Sequence, residues 1–203
     1  GATTESMAIT SDGKHLATAS AGKISIIDVA LGSVVSTITC GPHSISSLAF
    51  SPDGSLLASG DSGGSVRLWS VQGSVEYKTL LDSKEPISTT SLVFSPDGKM
   101  LVGAIINNVY VWDPATGKLF WCRTADPIAV CSLLFSPDGK KLLFGGARFF
   151  RILDPANGNL LQIIRSDPDL WMTSIGMSPD GKWMAGCGRS ETNIQLWAVE
   201  KKP

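Results

Sequence analysis

One tetrapeptide recurs through this 203-residue chain. It reads Ser51-Pro52-Asp53-Gly54, Ser95-Pro96-Asp97-Gly98, Ser136-Pro137-Asp138-Gly139 and Ser178-Pro179-Asp180-Gly181, after a degenerate first copy, Thr10-Ser11-Asp12-Gly13. The five aspartates lie 41, 44, 41 and 42 residues apart. Self-similarity at this period marks an array in which each unit must stack on its neighbours to bury its apolar surface. The tetrapeptide itself predicts a turn. Proline presets φ, aspartate bonds its own backbone, and glycine accepts the left-handed dihedrals.

Short apolar runs flank every turn. Ser47-Leu48-Ala49-Phe50 precedes the second copy and Leu56-Leu57-Ala58-Ser59-Gly60 follows it, and the other repeats match. Runs this short, punctuated by glycine, predict buried strands rather than helices. A third segment alternates with period two, as in Val66 and Leu68 or Val109 and Val111, with Arg67, Tyr110, Arg151 and Gln195 at the interleaved positions. The alternation predicts one packed face and one wetter face. This segment ends in Trp69, Trp112 and Trp197, and in Ile27 and Leu153 in repeats one and four. A second turn, such as Asp113-Pro114-Ala115-Thr116-Gly117, leads into a fourth strand.

Four strands per repeat of about forty residues, with tryptophan closing the third, is a propeller-blade pattern. The phrase from Leu48 through Ser51-Pro52-Asp53-Gly54 to Val66-Arg67-Leu68-Trp69 resembles a WD-repeat β-propeller, and the resemblance recurs in register along nearly the whole chain. It implies an all-β fold of four-stranded antiparallel blades, with docking on the rim that carries the second-to-third hairpins and inter-blade loops. There are departures. Only Trp112-Asp113 is a literal Trp-Asp pair, Gly41-Pro42-His43 is the nearest approach to the family's Gly-His, and Gly63 stands where an aspartate is usual. The hydrogen-bond network that His43, Ser59 and Trp69 would share is therefore expected to be incomplete.

Five repeats are visible in one domain, residues 1–203. They fit either a tight five-bladed ring or the arc of a larger propeller. The partial first and last repeats favour an arc without complete ring closure. The last repeat stops after its third strand, and the edge bearing Ile194, Leu196 and Trp197 is expected to self-associate.

Composition narrows the function. Apolar content of 43%, charge of 17% and a net charge of −1 argue against an electrostatic pull on nucleic acid or an anionic membrane. Cys40, Cys122, Cys131 and Cys187 lack ligand spacing and read as buried or half-buried strand residues, so no metal and no cofactor are expected. With no charged-then-apolar leader in view, the expected setting is a reducing, cytoplasmic one. His15 is expected in solvent, and His43 is expected to bond Ser59 or nearby backbone.

Gly60-Asp61-Ser62-Gly63-Gly64 resembles the nucleophile segment of trypsin-like serine proteases, but its register makes it the hairpin between strands two and three. Arg148-Phe149-Phe150-Arg151 could stack bases, although alternation puts Phe150 in the core. The expected function is a non-catalytic scaffold for a protein or peptide. The alternative is a sensor module of an enzyme whose catalytic domain lies elsewhere. The expected contact residues are Trp171, nine positions before Asp180, with Arg148, Arg189, His43 and Asp61 on the same rim.

Overall fold

The computed structural model describes residues 5–83, 89–125, 130–145, 149–165, 172–188 and 194–199. No helix occurs among them; every element is a strand. Blade one contains β1 (Ser6–Ile9), β2 (His15–Ser20), β3 (Lys23–Asp28) and β4 (Ser33–Thr39). Blade two contains β5 (Ile45–Phe50), β6 (Leu56–Asp61), β7 (Val66–Ser70) and β8 (Val75–Leu81). Blade three contains β9 (Thr89–Phe94), β10 (Leu101–Ile105), β11 (Asn108–Trp112) and β12 (Leu119–Thr124). Blade four contains β13 (Ser132–Phe135), β14 (Leu142–Gly145), β15 (Phe149–Leu153) and β16 (Leu160–Arg165). Blade five contains β17 (Met172–Met177), β18 (Trp183–Gly188) and β19 (Gln195–Ala198). Each blade is an antiparallel meander whose spatial order follows the chain.

The repeated turn is the same machine five times over. In blade three, Gly98 N–H donates to Ser95 O at 2.9 Å and closes the turn. Ser95 Oγ donates to Asp97 Oδ1 at 2.6 Å and accepts from Met100 N–H at 2.9 Å. Lys99 N–H reaches the same carboxylate oxygen at 3.1 Å. The glycine sits at φ 72°, where any other side chain would be strained. Thr10 supplies the hydroxyl in blade one, donating to Asp12 Oδ1 at 2.7 Å. Consecutive turns also touch. A Cβ on Gly98, Gly139 or Gly181 would lie 3.5, 3.6 or 3.4 Å from the proline ring of the preceding turn.

The core is divided among the four seams between blades. Ala17, Ala19, Ile24 and Ile26 of blade one face Leu48, Leu57 and Trp69 of blade two. Ala58, Val66 and Leu68 then face Leu92, Phe94, Leu101 and Trp112. Val102, Val109 and Val111 face Leu133, Phe135 and Leu142. Leu143, Phe150 and Ile152 face Met184 and Val199. In the first three seams one face offers mainly small and β-branched side chains and the next blade fills it with leucine and an aromatic, whereas in the fourth a leucine and a phenylalanine meet methionine and valine. Burying one such large side chain contributes about 1.5–3 kcal/mol. The innermost strands pack in the order β1, β5, β9, β13, β17, and no comparable packing joins β17 to β1 among the described residues. The blades form an open series.

The alternation expected of the third strand is present: Val66, Leu68, Val109, Val111, Phe150 and Ile152 are buried, and the interleaved Arg67, Tyr110 and Arg151 are half-buried. On that wetter face Arg67 and Arg151 bond backward. Arg67 donates to Cys40 O at 2.9 Å and Arg151 to Ala125 O at 2.7 Å, each bracing the linker that enters its blade. The expected exposed position of His15 is corrected, because it is half-buried at the start of β2. Cys122 is exposed rather than buried, and Cys40 is half-buried with burial pushing its thiol up to about 11.

Two expectations follow. Hydrogen bonds hold the turn aspartates below the usual carboxylate range: Asp12, bonded first by Lys14 N–H and then by Thr10, lies at about 2. In Asp53, Asp97, Asp138 and Asp180 the serine hydroxyl is the leading cause. A folded pKa below the unfolded value, about 3.9, gives stability that is complete above that pH and lost as pH falls toward 2. Acid melts of Asp97→Asn should show a lower Tm at pH 7 and a shallower loss between pH 4 and 2 than the parent chain. In the seam between blades two and three, Trp112 is 2% exposed and stacks on Tyr110 at 5.4 Å. Trp112→Ala should lose about 3–5 kcal/mol by denaturant titration.

Candidate functional site

The rim opposite the Ser-Pro-Asp-Gly turns is built from second-to-third hairpins and inter-blade linkers, and in blades one to three the hairpin is tied to a linker by backbone. Cys40 N–H donates to Gly22 O at 2.9 Å, and Ser62 N–H donates to Ser44 O at 2.9 Å. In blade three, Ala125 N–H donates to Asn107 O at 2.6 Å and Val130 N–H to Ile106 O at 3.2 Å. The approach is close. A Cβ on Gly22 would lie 2.0 Å from Gly41 O, so only glycine allows that linker to sit there.

Of the expected contact residues, His43 and Asp61 fall within the described residues, whereas Trp171, Arg148 and Arg189 lie outside them. His43 is exposed on this rim, its ring laid against the hairpin so that a Cβ on Gly63 would lie 2.8 Å from it. No bond from His43 to Ser59 is found. Trp69 Nε1 instead donates directly to Ser59 Oγ at 2.7 Å, so the network is reduced to this pair.

Asp61, expected among the rim's contact residues, is turned inward. It is 4% exposed, and its Oδ1 accepts from Gly63 N–H and Ser65 N–H, both at 2.9 Å. Its other oxygen faces Arg67 at 3.8 Å. Glycines at 63 and 64 leave the hairpin amides bare, and a buried carboxylate satisfies them. Asp61 therefore shapes the rim and does not present a charge to a partner.

Ile106 was missed in the sequence. It occupies the two-residue hairpin between β10 and β11 at φ 53° and is 44% exposed. Two-residue hairpins select glycine or asparagine where a central residue takes positive φ, and here Ile106 alone does so. A β-branched residue there is a backbone outlier, and its apolar side chain stands on the linker-tied rim. The signal was present in Ile105-Ile106-Asn107-Asn108, where isoleucine fills a turn position that selects against it.

The opposite rim holds a groove of about 810 Å³ between blades one and two. Asp12, His15, Ser36, Asp53, Ser55 and Ser74 line it. Among the described residues no group of three or more histidine, cysteine or acidic side chains could hold a metal ion.

Residues 32–70, the last strand of blade one and the first three strands of blade two, match the WD40 family, described as the WD domain, G-beta repeat. One repeat thus matches a WD repeat, and the sheets are arranged as antiparallel propeller blades. Its whole length of blades also resembles a solved structure, hydrazine synthase of Kuenenia stuttgartiensis, with a TM-score of 0.82 at 18% identity. The likeness covers 97% of this chain and 63% of that one, and at this identity it concerns the fold alone. No curated protein matches the chain. In the WD-repeat frame, Ser62 is a hairpin residue whose neighbouring carboxylate is committed to turn amides and not to His43. Incubation with a serine-directed fluorophosphonate followed by peptide mapping should leave Ser62 unmodified; stoichiometric adduct there would contradict the hairpin assignment.

Proposed function

We propose that the chain is a scaffold that binds a protein or peptide through the hairpin-and-linker rim, without catalysis of its own. The WD40 match supports the class of function, since WD repeats generally serve protein interaction. The observation that carries the reading is the strained, exposed Ile106 on a rim whose loops are pinned by backbone hydrogen bonds. Loops fixed in advance lose little entropy on binding, and strain held at an exposed apolar residue is a mark of function. His43 supplies a polar neighbour from blade two. By their place in the repeat, Trp171, Arg148 and Arg189 belong to the same proposed surface from blades four and five.

The test is selection of displayed random peptides on the chain, followed by affinity measurement against rim variants. Ile106→Asn should raise stability by up to about 1 kcal/mol, because asparagine tolerates the left-handed region, and should weaken selected peptides. Trp171→Ala should cost about 2 kcal/mol of binding, roughly thirtyfold. Selected peptides whose affinity is unchanged by both substitutions would overturn the assignment of the rim.

A further inference from the structure

The first seam is open at a place where the next two are filled. Strand register puts Ser36, Lys78 and Trp121 at one position of the fourth strand, opposite Ile26, Leu68 and Val111. Lys78 and Trp121 each cross to the second turn of the following blade. The Lys78 stem lies over Gly117, where a Cβ would come within 2.4 Å of it, and its Nζ donates to Ala115 O at 2.9 Å. The Trp121 ring lies over Gly158, where a Cβ would come within 3.1 Å, and its Nε1 donates to Pro155 O at 2.9 Å. A long side chain ending in an N–H donor thus closes the periphery of both seams.

Blade one has no such side chain. Ser36 ends at Ser74 Oγ. Ser74 occupies the turn position held by Gly117 and Gly158, five residues after the end of the third-strand motif, and keeps φ 49° in the region that favours glycine. Further in, His15 stands three residues after its turn aspartate, where Leu56 and Met100 pack against the cores of the next seam and of the one between blades three and four. What remains is the groove of about 810 Å³ between blades one and two. Its counterpart between blades three and four, lined by Asp97, Met100 and Asp138, holds about 280 Å³.

The groove also has a sign. Asp12 and Asp53 line it, whereas no lysine or arginine does among the described residues. The Lys14 amide on Asp12 and the Ser51 hydroxyl on Asp53 hold both carboxyls below their usual range, so both are ionised at neutral pH. Lys14 pairs with Asp12 at 3.3 Å from outside the groove, and Asp53 has no cationic partner among the described residues. Ile26, Val35 and Val71 supply apolar wall beside these charges. Ligand sites of about 300–1,000 Å³ are commonly built this way, from apolar walls and a few placed polar groups.

We propose that this groove takes a lysine side chain of a partner peptide, entering past Ser36 at the place that Lys78 and Trp121 close in the next two seams. The alkyl stem packs on Val35 and Val71, and the ammonium is drawn to the carboxylates of Asp12 and Asp53. Serine hydroxyls along the walls suit the backbone that carries it. The site lies on the turn rim, so it is a second contact surface and does not depend on the hairpin-and-linker rim.

The experiment is a titration of the whole ¹⁵N-labelled chain with the blocked tripeptide acetyl-Ala-Lys-Ala-amide, followed by amide chemical shifts. Saturable shifts should gather at Ser11, Gly54, Gln72 and Gly73. The same peptide with its lysine Nε-acetylated should bind at least about tenfold more weakly, and so should butylammonium, which has the head and stem without a backbone. Ser36→Lys copies Lys78 and should fill the groove from within, with binding lost while the spectrum keeps its dispersion. Gln72→Lys, at an exposed turn position, sets a competing charge there and gives the same reading if Ser36→Lys fails to fold. Ile106→Asn, on the other rim, should bind the peptide as the parent chain does. The proposal is overturned if no saturable shifts arise, or if the acetylated peptide or butylammonium binds as tightly. It is also overturned if a folded Ser36→Lys chain keeps the parental affinity, or if Ile106→Asn loses the peptide.

Discussion

A flat sheet of four short strands has two faces and no interior, and everything in this protein follows from the need to cover both. The first three seams do this with side chains of two sizes. Alanine, valine and isoleucine on one blade leave a shallow surface, and leucine, phenylalanine or tryptophan on the next fills it. The fit cannot be shared among blades by a common centre, so stability is a sum of neighbour terms, as in other stacked repeats. Gly60 and Gly103 show how close the fit is. A Cβ on Gly60 would lie 2.4 Å from Thr89, and one on Gly103 would lie 2.9 Å from Trp112.

Polar groups hold the seams in register at three depths. Near the centre, the Ser46 and Thr90 hydroxyls cross to the next blade. At the turn rim, Ser11 Oγ donates to Pro52 O at 2.7 Å, and prolines meet the glycines of following turns. At the periphery, side chains of the fourth strand reach the next blade's second turn. Lys78 Nζ donates to Ala115 O and Trp121 Nε1 to Pro155 O, both at 2.9 Å, and Ser36 bonds Ser74. Apolar burial supplies most of the driving force, but it is non-directional. These bonds supply the direction, and an error of one residue in register would break all three sets together.

The same arrangement explains why one rim suits recognition. Hairpins and linkers there are tied by backbone, so their side chains are free to vary without loosening the loops. Arg67 and Arg151 brace two of those linkers from beneath, and Asp61 holds the barest hairpin by its amides. Residues that look chemically active in the sequence are thereby consumed in support. What reaches the surface is a histidine ring resting on glycine and a strained isoleucine.

By itself the sequence determined the repeat, the turn and the strand order. These depend on contacts spanning at most about five residues, such as Ser95 with Asp97 and Met100, so the local residues suffice to specify them. It also marked the WD-repeat resemblance through Trp69 and Trp112, both buried in seams. Alternation also told the packed face of the third strand from the wetter one, where Arg67 and Arg151 are half-buried between buried neighbours. It did not show their partners, Cys40 O and Ala125 O, which lie on linkers more than twenty residues away. Asp61 read as a contact residue of the rim until Gly63 and Ser65 turned their amides onto it. Trp197 read as part of the open edge of the three-stranded last blade until Phe150 of blade four was placed against it. Burial belongs to whatever lies on top of a residue, and only the stacking of blades decides that.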